Sequence, residues 1–138
     1  MAISSTLVYR ADKEFEATNQ AGNTIQMDMY PQEEKKNQSP MDLVLSGLAG
    51  CAAVDIVSMI KKRRKTFVDL KVESVAERAE GHPAKFTKIH KKFIITSPDL
   101  TDKEAERIIN LAVESYCSVA SSLSPEIEMT HSFEIIQG

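Results

Sequence analysis

The feature that most constrains this chain is the stretch 39–64, SPMDLVLSGLAGCAAVDIVSMIKKRR, which is predicted to form one long helix. Ser39 is a suitable N-cap, Pro40 fits the first helical position, and Asp42 can complete a capping box. Nearly every face of the helix is apolar, which is typical of a helix buried in a protein or a membrane. Asp55 and two glycines interrupt the apolar run and leave it too short to span a bilayer. The helix is therefore predicted to be the buried centre of the fold.

Small residues surround the single thiol of this helix, Cys51. Gly47 and Gly50 precede it, and each costs about 0.5–1 kcal/mol relative to alanine in a helix interior. Two interpretations account for that cost. Either another backbone packs closely against the helix, or the glycines leave room beside the sulfur for a small molecule.

The rest of the chain alternates between strand and helix patterns. Period-two alternation predicts strands, and Thr101 with Glu104 forms a second capping box before an amphipathic helix. The predicted segments are short strands within 6–29, strands at 68–78 and 86–96, a helix from 101 to about Cys117, a short helical turn at 118–124 and a last strand from Ile127. The order βββ-α-ββ-α-β predicts a single α+β domain over residues 1–138, with an antiparallel sheet packed on the long central helix.

Charge and composition exclude several classes of protein. Lys and Arg total 17 against 20 Asp and Glu, so the net charge of −3 argues against a nucleic-acid-binding protein. The first residues show no secretory signal pattern, and a cytoplasmic location without membrane attachment is expected. In a reducing compartment the two cysteines are not expected to form a permanent disulfide. They are either inert buried thiols or a redox pair.

The environment of the thiols leaves that choice open. Cys51 lies far from the start of its helix, and Asp55, one turn further, opposes its ionisation. A thiolate at Cys51 therefore needs a cation from elsewhere. Cys117 ends the amphipathic helix, and the two helices are expected to pack together. No Cys/His spacing resembles a zinc site and no glycine pattern resembles a phosphate-binding loop, so neither a metal nor a cofactor is expected.

Two motifs carry a family resemblance. SP-MDLVLSGLAGC resembles the OsmC/Ohr signature, in which a proline opens a long helix that contains the first cysteine, and ESYCSVASSL resembles the second cysteine motif of that family. The element order matches as well, and the details are more similar to the OsmC-like branch. The resemblance implies an intertwined homodimer with two thiol sites at its interface.

The resemblance also implies an activity in defence against oxidative or osmotic stress. Cys51 corresponds to the peroxidatic thiolate that attacks a hydroperoxide, and Cys117 to the resolving cysteine. A dithiol restores both thiols, and no bound cofactor is required. Peroxidase members use an arginine from the N-terminal strands to favour the thiolate, and Arg10 is the candidate.

The chain departs from the pattern of the peroxidases at two positions. Their arginine is held by a glutamate directly after the helix-opening proline, whereas Met41 stands there and Asp42 follows one residue later. Ser118 replaces a proline that often follows the second cysteine. Two alternatives to a peroxidase therefore stay open: a non-catalytic dimeric binding protein, and a redox sensor that oxidises once without turnover.

Overall fold

The computed structural model describes all residues, 1–138, and has the predicted α+β composition in the predicted order. The residues group into two compact units, Met1–Val44 and Leu45–Gly138. The elements are β1 (Ser5–Ala11), β2 (Glu14–Asn19), β3 (Thr24–Asp28), α1 (Pro40–Lys62), β4 (Asp69–Arg78), β5 (Phe86–Thr96), α2 (Asp102–Leu111), α3 (Ser118–Ser122) and β6 (Glu128–Ile136).

The first unit contains an antiparallel sheet with the order β1-β2-β3. The turn between β2 and β3 uses Gly22 at φ +90°, a conformation that glycine adopts without steric cost. Several apolar side chains of this sheet are exposed, among them Leu7, Tyr9 and Ile25. The sheet thus has little apolar core of its own in the single chain.

The buried carboxylate of Asp28 organises the polar segment that follows β3. Asp28 accepts hydrogen bonds from Lys35 Nζ at 2.8 Å and from the backbone N–H groups of Lys36 and Asn37 at 2.9 and 2.7 Å. Burial raises the pKa of Asp28, but these bonds outweigh it and lower the pKa to about 2. A short 3-10 helix, Gln32–Glu34, lies in the same segment.

Helix α1 begins as predicted. Ser39 Oγ accepts the Asp42 N–H at 3.1 Å and Asp42 Oδ2 accepts the Ser39 N–H at 3.0 Å, which completes a capping box. The helix spans 23 residues and is long and apolar enough, by length and composition alone, to cross a membrane. The expectation that it is too short is therefore wrong as a statement about length, because the helix is continuous through its glycines and Asp55.

One face of α1 is buried in the core of the second unit and the opposite face is not. The buried stripe recurs one helical turn apart and consists of Leu48, Ala52, Ile56 and Ile60. Gly47 and Gly50 lie on the exposed face, where a Cβ atom would meet nothing within 4 Å. Val54 on that face is 70% exposed. Close packing of another backbone at the glycines is thus not found within the chain.

The second sheet has the order β4-β5-β6. β4 and β5 pair antiparallel, as predicted for consecutive strands, whereas β6 runs parallel to β5. The expectation of one antiparallel sheet is wrong on both counts, since there are two sheets and one of them is mixed. Because β5 and β6 are joined through helices, the chain crosses over and returns in the same direction.

The core of the second unit lies between this sheet and the helices. It contains the α1 residues Ala52, Ile56 and Ile60, and side chains of β5 and α2 complete it. Helix α2 begins with the predicted capping box of Thr101 and Glu104. It continues into a π-helical turn, Ala112–Tyr116, which ends immediately before Cys117.

Candidate functional site: two thiols and a buried lysine

Cys51 lies in the middle of α1, next to the buried stripe. Its neighbours Leu48 and Ala52 are fully buried, whereas Cys51 itself is partly exposed. Cys51 therefore lies at the border between the core and the surface of the second unit.

Cys117 is the N-cap of α3 rather than the last residue of the preceding helix. Its backbone is extended, and its sulfur accepts the Ala120 N–H at 3.4 Å, as a serine or aspartate oxygen does in most N-caps. The Cys117 sulfur also lies 4.0 Å from the Leu48 carbonyl oxygen of α1. Only 2% of Cys117 is exposed. The π-helical turn makes this geometry possible because it ends the longer helix one residue before the cap.

The two thiols interact with each other, and their surroundings shift their pKa values in opposite directions. The backbone N–H of Val119 donates a hydrogen bond to the Cys51 sulfur and lowers its pKa, with further donation from the Cys117 thiol and the Ser118 N–H. Burial and the charge of Asp55 act in the opposite direction, and the net effect is a lowered pKa for Cys51. Burial raises the pKa of Cys117. The two neighbouring thiols are therefore inequivalent, because the pKa of Cys51 is lowered and that of Cys117 is raised.

The first turn of α3 supplies the stabilisation of a Cys51 thiolate that α1 itself does not provide. The dipole of its own helix does little at mid-length, and Asp55 opposes ionisation as expected. Donors from a different helix compensate, because the Cys117 cap holds the N–H groups of Ser118 and Val119 toward the Cys51 sulfur.

A buried lysine, Lys91, completes the site. It lies on β5 among inward-facing residues, with Ile89 and Phe93 on either side of it in the alternation and His131 as its partner on β6. Only 2% of Lys91 is exposed, and its Nζ atom is 6.0 Å from the centre of the Phe93 ring. Burial lowers the pKa of Lys91, and the ionisable thiols of Cys117 and Cys51 act in the opposite direction.

The sequence analysis did not identify Lys91 as a site residue. The signal is present, however, because a lysine in an inward position of an apolar alternation is costly unless a charge partner lies nearby. Its neighbours His90 and Lys92 face the other side of the sheet, which made the lysine resemble part of a solvated cluster.

A small cavity of about 110 Å³ borders Lys91. Glu114, Thr130 and His131 also line it. His131 is a half-buried histidine whose Nε2 lies 2.9 Å from Asn110 Oδ1. Burial, and then the charge of Lys91, lower the pKa of His131.

No group of three or more His, Cys, Asp or Glu side chains is arranged to hold a metal ion. His90 contacts the hydroxyls of Thr130 and Ser132 at 2.7 and 3.1 Å, so both of its ring nitrogens are occupied. The chemistry available at this site is therefore that of the thiols and the lysine.

Arg10, the third predicted site residue, lies on β1 of the first unit. Its guanidinium donates to Glu16 Oε1 at 2.6 Å, and 56% of its side chain is exposed. Glu16 on the neighbouring strand thus holds the arginine, and Asp42 instead caps α1. The function of Arg10 at the thiols stays a prediction.

Comparisons with known proteins agree with the fold and with the two motifs. The family model for OsmC-like protein matches residues 33–132. Protein YhfA of Escherichia coli K12 is 40% identical over 116 residues, which span 84% of this chain and 85% of YhfA.

Solved structures share the architecture. A crystal structure from Aquifex aeolicus VF5 superposes with a TM-score of 0.87 at 25% identity, covering 99% of this chain and 97% of the other. OhrB of Bacillus subtilis, an organic hydroperoxide resistance protein, superposes with a TM-score of 0.66 at 16% identity, covering 97% and 98% of the two chains. At that identity the likeness to OhrB shows the fold alone.

Proposed function

Since this chain belongs to the OsmC-like protein family, we propose that it is a thiol-dependent peroxidase that reduces organic hydroperoxides, with Cys51 as the peroxidatic and Cys117 as the resolving cysteine. One observation carries the proposal: Cys117 caps α3 beside Cys51, and the N–H groups of the first turn of α3 lower the pKa of Cys51 while burial raises the pKa of Cys117. An inert structural cysteine needs neither feature.

In the first step the Cys51 thiolate attacks the terminal oxygen of a hydroperoxide ROOH. A sulfur–oxygen bond forms, the O–O bond breaks, and the alkoxide RO⁻ leaves and takes up a proton to become the alcohol. Cys51 is oxidised to a sulfenic acid and the hydroperoxide is reduced. The lowered pKa of Cys51 supports this step because the thiolate is the nucleophile.

In the second step the Cys117 sulfur attacks the sulfenic sulfur of Cys51. A disulfide forms, and the hydroxyl group leaves as water with the proton of the Cys117 thiol. The direct interaction of the two thiols supports this role for Cys117. An external dithiol then reduces the disulfide by two thiol exchanges and is itself oxidised to a disulfide. The net reaction converts a hydroperoxide and a dithiol into an alcohol, water and a disulfide, without a cofactor.

The family resemblance supports a contribution of Arg10 as a cation that favours the Cys51 thiolate. Glu16 takes the place of the acidic residue that holds the arginine in peroxidase members, since it accepts a hydrogen bond from Arg10. Substitution of Met41 for that glutamate therefore does not argue against the role of Arg10.

The assembly belongs to the proposal as well. The exposed apolar side chains of the β1-β2-β3 sheet, and separately the exposed face of α1 around Gly47, Gly50 and Val54, are surfaces that a second copy of the chain can cover. A homodimer that acts in the cytoplasm, without nucleic-acid or membrane partners, fits the net charge of −3 and the reducing conditions that free thiols require.

The test is peroxide consumption by purified protein with cumene hydroperoxide and dithiothreitol. Wild-type protein is expected to turn over many times, and Cys51→Ser is expected to abolish turnover. Ser58→Ala, on the exposed surface of the same helix, is the matched control and should keep the wild-type rate. An equal rate in Cys51→Ser would refute the proposal.

The same assay separates the peroxidase from its alternatives. A redox sensor would form one disulfide per chain and then stop, whatever dithiol is supplied. A non-catalytic binding protein would consume no peroxide, and its Cys51 would react with iodoacetamide at the slow rate of an ordinary buried thiol. Hydrogen peroxide, compared with cumene hydroperoxide, reports the preference between oxidants.

A further inference from the structure

Lys91 is a charged side chain that the mechanism above does not use. It is almost completely buried and takes part in none of the ion pairs of the chain. Its Nζ atom lies 6.0 Å from the centre of the Phe93 ring. A buried lysine that lacks a carboxylate partner is costly, and it tends to lose its proton unless another negative charge is near.

The groups that interact electrostatically with Lys91 are the two thiols and His131. Cys117 and then Cys51 favour the protonated lysine, and Lys91 in turn favours the thiolate of Cys117. Lys91 lies two residues before Phe93 on the inward side of β5, and Phe93 belongs to the same core cluster as Ala52, which follows Cys51, and Ala112, where the π-helical turn before Cys117 begins. The buried lysine, which has no paired carboxylate, therefore lies on the side of β5 that packs against the elements carrying both cysteines.

We propose that Lys91 is a positioning residue. Its buried positive charge stabilises a thiolate at the pair of cysteines, so that Cys51 is reactive at neutral pH. Its role rests on the proposed function, because a persistent thiolate is what a peroxidase needs. Lys91 acts from within the same unit as both cysteines, and it does so in addition to any contribution of Arg10.

The two sulfurs differ in the hydrogen-bond donors that surround them. Cys51 accepts the N–H groups of Val119 and Ser118 together with the Cys117 thiol proton. Cys117 accepts only the Ala120 N–H and is more buried. These donors favour a negative charge on Cys51, and the charge of Lys91 acts on the pair of thiols as a whole.

Other titratable groups face the same region and enter any pH profile. They are Asp55 on α1, Cys117 at the start of α3, and Glu114 and His131 on the cavity that Lys91 lines. Asp55 opposes the Cys51 thiolate. Burial, followed by the charge of Lys91, lowers the pKa of His131.

The first experiment measures the rate of iodoacetamide alkylation of each cysteine against pH. Trypsin separates them, because Cys51 falls in peptide 37–61 and Cys117 in peptide 108–138. Lys91→Met keeps the length of the side chain and removes its charge, and it is expected to move the Cys51 midpoint to higher pH by about one unit. Lys91→Arg restores a cation and should recover most of that shift.

Lys92→Met is the matched control. Lys92 is the next residue on β5, faces the opposite side of the sheet, and pairs with Glu134 at 3.3 Å. It should leave the Cys51 midpoint unchanged. Equal midpoints in Lys91→Met, Lys92→Met and wild type would overturn the proposal, as would a Lys91→Arg variant no closer to wild type than Lys91→Met.

A second experiment needs no substitution, so it does not depend on whether Lys91→Met folds. In protein labelled with ¹³C at the lysine Cε, the Lys91 resonance is titrated before and after Cys51 is alkylated. Coupling between two sites is reciprocal, so neutralising Cys51 must lower the Lys91 midpoint. An unchanged Lys91 midpoint would overturn the proposal.

Neither measurement uses peroxide. If wild-type protein does not turn over hydroperoxide while the Lys91 shifts appear, the peroxidase proposal fails and the charge coupling stands. If turnover is normal and the shifts are absent, the peroxidase stands and Lys91 has no part in it.

Discussion

Cys117 has two functions, since its sulfur caps α3 and its thiol interacts with Cys51. Two substitutions separate these functions. Cys117→Ser keeps a side-chain acceptor for the Ala120 N–H, whereas Cys117→Ala removes it. Neither variant retains a thiol at this position. Any difference between the two therefore reports the cap.

The size of the difference follows from the strength of N-caps. Replacing a capping serine by alanine costs about 0.5–2 kcal/mol. With an unfolding entropy of about 2.1 cal/mol/K per residue, this corresponds to a Tm lower by about 2–7 °C for a chain of 138 residues. Thermal unfolding followed by far-UV circular dichroism measures it directly.

The cap also has a chemical consequence. Ser118 and Val119 donate to Cys51 from the first turn of α3, so loss of the cap weakens the donors that lower the pKa of Cys51. The alkylation midpoint of Cys51 is expected at higher pH in Cys117→Ala than in Cys117→Ser. Equal Tm values together with equal midpoints would refute the reasoning, because the cap would then neither stabilise α3 nor orient its N–H groups.

Four further predictions follow from the structure. Phe93→Ala, at a fully buried position, should cost about 3–5 kcal/mol in urea unfolding, and a loss below about 1 kcal/mol would contradict the assigned core. The stability that Asp28 contributes should be complete above pH 3.8 and disappear as the pH falls through about 2, because its pKa is lowered on folding; an Asp28→Asn variant should lack this acid-dependent loss. Gly50→Ala should weaken the proposed homodimer in sedimentation equilibrium while Lys103→Ala, at an exposed position of α2, does not, and unchanged association of Gly50→Ala would show that this face is not the dimer interface. Arg10→Met should slow peroxide consumption without unfolding the protein, and an unchanged rate would exclude Arg10 from the site.

The local elements were accessible from the sequence because their causes are local. Both capping boxes form between residues three positions apart, and the structure contains them as predicted. The strand patterns located β4, β5 and β6 to within one or two residues. Alternation does not encode the direction of a strand, however, and the parallel pairing of β6 with β5 depends on the crossover through the helices.

The two cysteines were recognisable from the motifs that surround them, but the state of the thiols was not. The dipole and charges of α1 alone favour an un-ionised Cys51, since Asp55 is the only charge that its own helix places near the sulfur. Cys117 had the pattern of a helix end, and the π-helical turn that makes it a cap depends on packing in the second unit.

What the sequence by itself determined is the set of helices, strands and caps, because each arises from residues within a few positions of one another. What only the tertiary structure decided is the charge of the thiol site. The cation on β5, the N–H groups of α3 and the sulfur on α1 are far apart along the chain, and electrostatic interactions in a buried site depend on distances through space. Folding of the second unit joins these groups, and their mutual positions separate a reactive thiol from an inert one.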